Sequence, residues 1–310
     1  MVKYLFLLLM MSALAACNEV PKKNSLQDSP TSGTIHISVD ESFRPVMEEQ
    51  IKVYEGNYPG TKIIAEYKPE ADCLRDLFSN AATRMVVVTR GLTYQEAKYF
   101  QDTLHYVPSS EKIASDAIAL VVNSKSNDTL FTLKELQGQL SGMLNNNKKM
   151  VFDGLNATST VRFAIDSLLK GKKFDNNVVK AVRSSHEVLD FVASDINAIG
   201  FVGISWIGNP EDTAQVSMLK KIKMAYVKCE PCLDSPYVKP SQAGILTRRY
   251  PLIRGLYYIL KENYSGLGSG FASFLKYERG QLVFRRAYLS PAQMSFEIRS
   301  VRLNEKLKKD

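Results

Sequence analysis

The chain has 310 residues, room for about two domains at roughly 150 residues each, and its 45% hydrophobic content is ordinary for a globular protein. The formal net charge is +8, but the basic residues are scattered and cluster only at Lys306, Lys308 and Lys309. No basic stripe interleaved with aromatics is present, which argues against a nucleic-acid partner; a positive balance suits anionic ligands or a membrane surface.

In chain order, Lys3 and the apolar run Tyr4 to Met11 read as a secretory signal rather than as fold. Leu14-Ala15-Ala16-Cys17 closes it and resembles the cleavage box of bacterial lipoproteins, which implies cleavage before Cys17 and lipidation of its thiol. The alternatives are an ordinary signal peptide or a short anchor, and the apolar run is too short to span a bilayer. Residues 18–33 are rich in Pro, Lys, Ser and Thr and read as a flexible tether. No later stretch reaches 18 uninterrupted apolar residues, so no internal span is expected.

Thr34 to Val39 alternates as a strand, and Asp40 to Arg44 turns it. Pro45 suits a first helical position, and Met47, Ile51 and Tyr54 share one helix face. Thr61 to Tyr67 is the next strand, and Pro69 opens a helix carrying Leu74, Leu77 and Phe78. Met85 to Thr89 has the unbroken apolar character of a buried strand. Thr93 and Glu96 are spaced as a capping box. Asp116 to Val122 is another apolar strand, and the strand–helix repetition predicts a parallel sheet covered by helices.

Asn123 to Asn127 is polar and marks a first crossover between lobes; Leu133 to Leu140 is a short helix. Lys149 to Phe152 reads as a strand, and Val161, Ala164, Ile165, Leu168 and Leu169 recur at helical spacing. Thr158, Ser159 and Thr160 therefore fall at a helix start, where unpaired N–H groups and hydroxyls make an anion site, or where one hydroxyl simply caps. Ala198 to Gly203 is a strand or tight turn, and Lys239 to Thr247 is read as the return crossing. Tyr250-Pro251 opens an apolar helix through Leu260, Phe271 to Tyr277 forms a further helix, and Phe296 to Leu303 a last strand.

Three features resist a chemical reading. Cys229-Glu-Pro-Cys232 has redox spacing, but its proline-rich surroundings favour a local disulfide or two free thiols. The three histidines are scattered, and His186-Glu187 lacks a second ligand at helical spacing. Ser265 to Gly270 is glycine-rich but lacks the lysine and preceding strand of a phosphate loop.

Ala198-Ile199-Gly200-Phe201-Val202, then Tyr250-Pro251, then Phe274-Leu275 followed by Gly280-Gln281 stand in an order that resembles the phosphate-binding lipoproteins of bacterial ABC importers, in a divergent branch. The resemblance covers most of residues 34–303. It implies a two-lobed α/β fold of the periplasmic binding protein type II, each lobe a mostly parallel sheet flanked by helices, joined by two crossover strands. Lobe one would span 34–122 and 238–310, and lobe two 123–237. The implied ligand set is Ser42 and Phe43 in the first loop, Glu70 on the second helix start, Thr89 and Arg90 after the third strand, and Thr158, Ser159 and Thr160 in lobe two. The family's second-lobe arginine has no counterpart near Gly154, and Arg90 replaces its aspartate. Arg90 is thus expected to clamp the anion and Glu70 to accept a phosphate proton.

The expected function is capture of phosphate or a similar tetrahedral oxyanion for an ABC permease of the inner membrane. The protein would be a lipid-anchored monomer of the bacterial cell envelope, without a cofactor or bound metal. The alternative is an orphan lipoprotein of the same fold acting as a sensor or surface-binding protein. An enzyme is disfavoured, because no nucleophile–base pair or metal set is visible.

Overall fold

The structure, a computed structural model, describes residues 28–144, 146–154 and 158–293. Cys17, the tether's first ten residues and the strand expected over Phe296 to Leu303 lie outside them.

Three parallel strands open the first lobe: β1 (Gly33–Asp40), β2 (Thr61–Lys68) and β3 (Thr83–Val88), in the order β2-β1-β3. Helices α1 (Arg44–Asn57), α2 (Glu70–Ser79) and α3 (Tyr94–Leu104) connect them and lead onward. The punctuation expected from sequence is in place. Pro45 lies in the first turn of α1, and Thr93 and Glu96 form the reciprocal capping box of α3.

The long strand β4 (Ser109–Asn123) then serves both lobes. After β5 (Leu130–Phe131) and α4 (Leu133–Leu140), the second lobe is built on β6 (Lys149–Phe152), β7 (Val179–Ala181), β8 (Ala198–Gly203) and β9 (Ile222–Met224). Its helices are α5 (Ser159–Phe163), which runs on into a π-helical turn at Ala164–Leu168, α6 (Ser185–Ser194) and α7 (Thr213–Met218). A small sheet joins β5, β10 (Tyr226–Lys228) and β11 (Tyr237–Val238), where Cys229 and Cys232 are bonded to each other. Helix α8 (Gln242–Leu246) forms within Lys239 to Thr247.

The segment after Tyr250-Pro251 is a strand, β12 (Ile253–Leu260), not a helix. Its first residues alternate half-buried and buried, with Arg254, Leu256 and Tyr258 facing inward, which is the period of a strand. It pairs antiparallel with both β3 and β4 and closes the path β2-β1-β3-β12-β4-β8-β6-β7. The sheet is therefore parallel within each lobe's outer part and antiparallel through β12, β4 and β8 at the junction. Helices α9 (Leu267–Lys276) and α10 (Glu278–Arg286) cover the first lobe, and β13 (Ser290–Pro291) pairs with β4. A continuous apolar core runs through both lobes, from Ile35, Ile37 and Val39 to Phe152 and Phe201.

Candidate functional site

The strand ends of both lobes point toward one buried polar cluster. In the first lobe, β1 ends in Asp40, whose carboxylate accepts the Ser42 N–H at 3.1 Å and caps a 3-10 turn over Glu41–Phe43. That turn presents Ser42 and Phe43, both fully buried. In the second lobe, β6 ends just before Asp153, and Thr158 caps α5 by accepting the Val161 N–H at 3.3 Å. The cap reading of the hydroxyl turn is correct for Thr158. Ser159 and Thr160, also buried, are free to reach elsewhere.

The two halves meet through hydroxyls. Ser42 Oγ lies 3.3 Å from Ser159 Oγ and donates to Asp153 Oδ2 at 3.4 Å, and Thr160 Oγ1 donates to Asp153 Oδ1. Gly203 allows this approach. A side chain there would place its Cβ 3.0 Å from the Ser42 carbonyl oxygen and 3.1 Å from Arg254 Nη2.

Arg254 is the pivot of the cluster. Register places it opposite Asp116 on β4, and its Nε donates to Asp116 Oδ2 at 2.8 Å while Nη1 donates to Ser159 Oγ at 2.7 Å. The guanidinium lies 4.8 Å over the Phe43 ring. Both side chains of the ion pair are almost inaccessible, at 3% and 0% exposure, so neither ion can be left unpaired cheaply. Burial raises the Asp116 carboxyl above its usual range despite Arg254. Asp40 is pushed up to about 7, by burial first and then by the like charge of Glu70, with Arg254 opposing. One oxygen of Asp40 and the Nη2 of Arg254 are buried without a hydrogen-bond partner among the described residues.

A second contact joins the lobes beside this cluster. Glu70, 2% exposed, accepts from the Thr89 N–H at 2.8 Å and from its hydroxyl. Across the cleft it accepts from Arg162 Nε at 2.7 Å and Nη2 at 3.3 Å. Burial opposes ionisation of Glu70, but Arg162 and Thr89 together hold its carboxyl below the usual range.

The expected ligand set is thus brought together except at one position. Ser42, Phe43, Glu70, Thr89, Thr158, Ser159 and Thr160 line the lobe junction. Arg90 does not join them. Its guanidinium makes two 2.7 Å bonds to Glu96, the same carboxylate that closes the α3 capping box, and a third to the Gly91 carbonyl at 3.0 Å. The capping carboxylate six residues away satisfies Arg90 locally, so no clamp remains. Glu70 is likewise engaged by four donors, three on Oε1 and one on Oε2, so it stands as a link between the lobes through Thr89 and Arg162. Sequence reasoning missed Asp40, Asp116, Asp153, Arg162 and Arg254. For Arg254 a signal existed, since a charged residue on the inward face of an alternating strand requires a buried partner.

Two α/β lobes around a polar junction, with side chains contributed from both, define a two-lobed fold of the periplasmic binding protein type. A family model described as a PBP superfamily domain matches residues 24–278, and the chain belongs to that superfamily. A stretch of 114 residues is 32% identical to phosphate-binding protein PstS 2 of Streptococcus pneumoniae and covers 36% of this chain; the match spans only 33% of that relative. A substrate-binding protein of the phosphate ABC-transporter type with bound phosphate, from Clostridium perfringens, superposes with a TM-score of 0.66 at 18% identity, over 84% of this chain and 100% of that one. An ABC-type phosphate transport receptor from Vibrio cholerae gives 0.60 at 18% identity, over 83% and 99%. At these identities the solved structures show the shared fold.

Proposed function

We propose that the protein is an extracytoplasmic solute-binding protein that captures a phosphate-type oxyanion between its lobes and delivers it to an ABC permease. The carrying observation is the convergence of Ser42 from one lobe and Ser159 and Thr160 from the other around buried Arg254. Hydroxyls and a guanidinium are donors suited to oxyanions. Ionised Asp40, with one buried oxygen unpartnered among the described residues, adds an acceptor that would favour a protonated phosphate over sulfate above about pH 7. The reading assigns no catalysis, no cofactor and a monomeric state.

The Leu14-Ala15-Ala16-Cys17 box supports a lipid anchor at Cys17 in the cell envelope. β4 pairs with β12 over residues 109–117 and with β8 over 118–122, which supports a first crossover within β4 and a return before β12; lobe one is read as 34–122 and 238–310. Calorimetric titration with phosphate, sulfate and molybdate tests the ligand class. Saturable one-to-one binding with phosphate ahead of sulfate is expected, and the reading fails if no tetrahedral oxyanion, free or esterified, gives saturable heat. Cys17→Ser should release the protein from membranes or block its processing; unchanged processing with full membrane retention would remove the anchor.

A further inference from the structure

The oxyanion reading leaves one large feature unused. Beside the buried cluster, and sharing Asp153 and Thr158 with it, lies a cavity of about 560 Å³ whose wall includes Arg44, Tyr67, Lys68 and Trp206. A five-atom oxyanion displaces the volume of only a few waters, at roughly 30 Å³ each. Cavities of this size accommodate organic molecules, within a range of about 300–1,000 Å³.

The charges around the cavity are nearly all spoken for. Lys68 is paired with Glu66 and Asp76, and Arg183 with Glu187. Glu41 crosses to lobe two and accepts the Ser185 N–H and hydroxyl at the start of α6. Glu48 stands exposed at the rim. Arg44 alone among these cations makes no ion pair with the described residues. Its guanidinium carbon lies 4.6 Å from the centre of the Tyr67 ring, so the two form a flat, positively charged face. Arg44 Nε, Tyr67 Oη and Trp206 Nε1 are all buried without partners among the described residues. All three donors belong to residues of the cavity wall. In the inner cluster, by contrast, Glu70 already fills Arg162 and Thr89.

We propose that the ligand is a phosphate monoester, with its phosphoryl group against Arg44 and Thr158 and its organic part against Tyr67 and Trp206. This rests on the oxyanion reading and moves the phosphoryl group to the outer edge of the hydroxyl cluster, where Thr158 and Asp153 line the cavity. A free phosphate would leave the aromatic wall and most of the volume unused, whereas an ester supplies a phosphoryl group for the unpaired Arg44 and an apolar body for Tyr67 and Trp206.

The test is calorimetric titration of the protein with inorganic phosphate and, separately, with phenyl phosphate, repeated on Arg44→Ala and on Trp206→Phe. Arg44 is partly exposed at a helix start, and Trp206→Phe retains an aromatic ring while removing the indole N–H, so both variants should fold; melting curves check this. Phenyl phosphate is expected to bind at least tenfold more tightly than phosphate. Loss of Arg44 should weaken it by roughly 10- to 150-fold, the range for one charge-assisted contact. Phosphate binding as tightly as phenyl phosphate, or Arg44→Ala within twofold of wild type on the ester, overturns the inference and leaves the oxyanion reading standing. Absence of saturable heat with either compound removes both.

Discussion

Two turns in this molecule look alike as sequence and differ in what fills them. The glycine-rich start of α9, Gly266 to Ser269, offers a row of backbone N–H groups. Glu262 takes them, accepting from Gly266 at 3.0 Å, Gly268 at 3.1 Å and Ser269 at 2.8 Å. A side chain at position 268 would put its Cβ 2.6 Å from Glu262 Oε2, so the glycine is required by the carboxylate. The Ser/Thr-rich start of α5 is filled otherwise. Thr158 caps its own helix, while Ser159 and Thr160 turn toward Arg254, Asp153 and the opposite lobe. A helix start attracts anions in general. Whether it serves a ligand depends on whether the chain supplies its own carboxylate first. The α9 turn is therefore structural, and the α5 turn belongs to the lobe junction.

The largest effect should come from breaking the junction at its pivot. Arg254→Met leaves Asp116 buried and uncompensated, and removing one partner of a buried pair costs about 3–5 kcal/mol. Urea denaturation measures this, and a loss below about 1 kcal/mol would mean that the pair does not hold the junction.

Breaking the α9 turn should lower stability and spare binding. Glu262→Gln removes charge-assisted bonds to three N–H groups, and Arg84 keeps Asp28 as its partner. Such bonds are worth roughly 1.5–3 kcal/mol, so a loss in that range is expected with oxyanion affinity unchanged within twofold. A tenfold drop in affinity would erase the distinction between the two turns.

Asp40 sharpens the comparison through pH. Its folded-state carboxyl is raised to about 7, above the ordinary value of 3.8, so the native state holds a proton that the unfolded state has lost between those limits. Stability from this group is therefore present at low pH and is lost as pH rises toward about 7. Asp40→Asn should remove that slope, so that wild type minus variant falls steadily from pH 4 to 7. A flat difference would place Asp40 outside the buried network.

The smallest effect belongs to Arg90→Ala. Its pair with Glu96 is half-buried, at 29% and 20% side-chain exposure, and solvent still screens it, so the loss should be about 1 kcal/mol, with oxyanion binding unchanged. A tenfold weakening of binding would restore Arg90 to the site.

Much of this was legible in the residues. The first-lobe order through β4, strand β6 with its helix α5, the capping box at Thr93 and the cap at Thr158 depend on local periodicity and turn chemistry, which a single sequence carries. Among the hydroxyl members of the site, Thr158 to Thr160 followed from the helix-start pattern and Ser42 from the resemblance. The charged members did not. Arg254 and Asp116 are 138 residues apart and meet only through the register of β12 against β4. Reading Tyr250-Pro251 as a helix start hid the two-residue alternation that would have turned Arg254 inward. Arg90 misled in the opposite way, because Glu96 was counted as a cap and not also as a partner.

The most direct test is to locate the anion. Crystals grown with arsenate, a tetrahedral oxyanion with an anomalous signal, should show an arsenic peak between the lobes within hydrogen-bonding reach of Thr158 or Ser42. A peak only at the start of α9 or on the outer surface, with the junction empty, would contradict the assignment of the interlobe cleft as the oxyanion site.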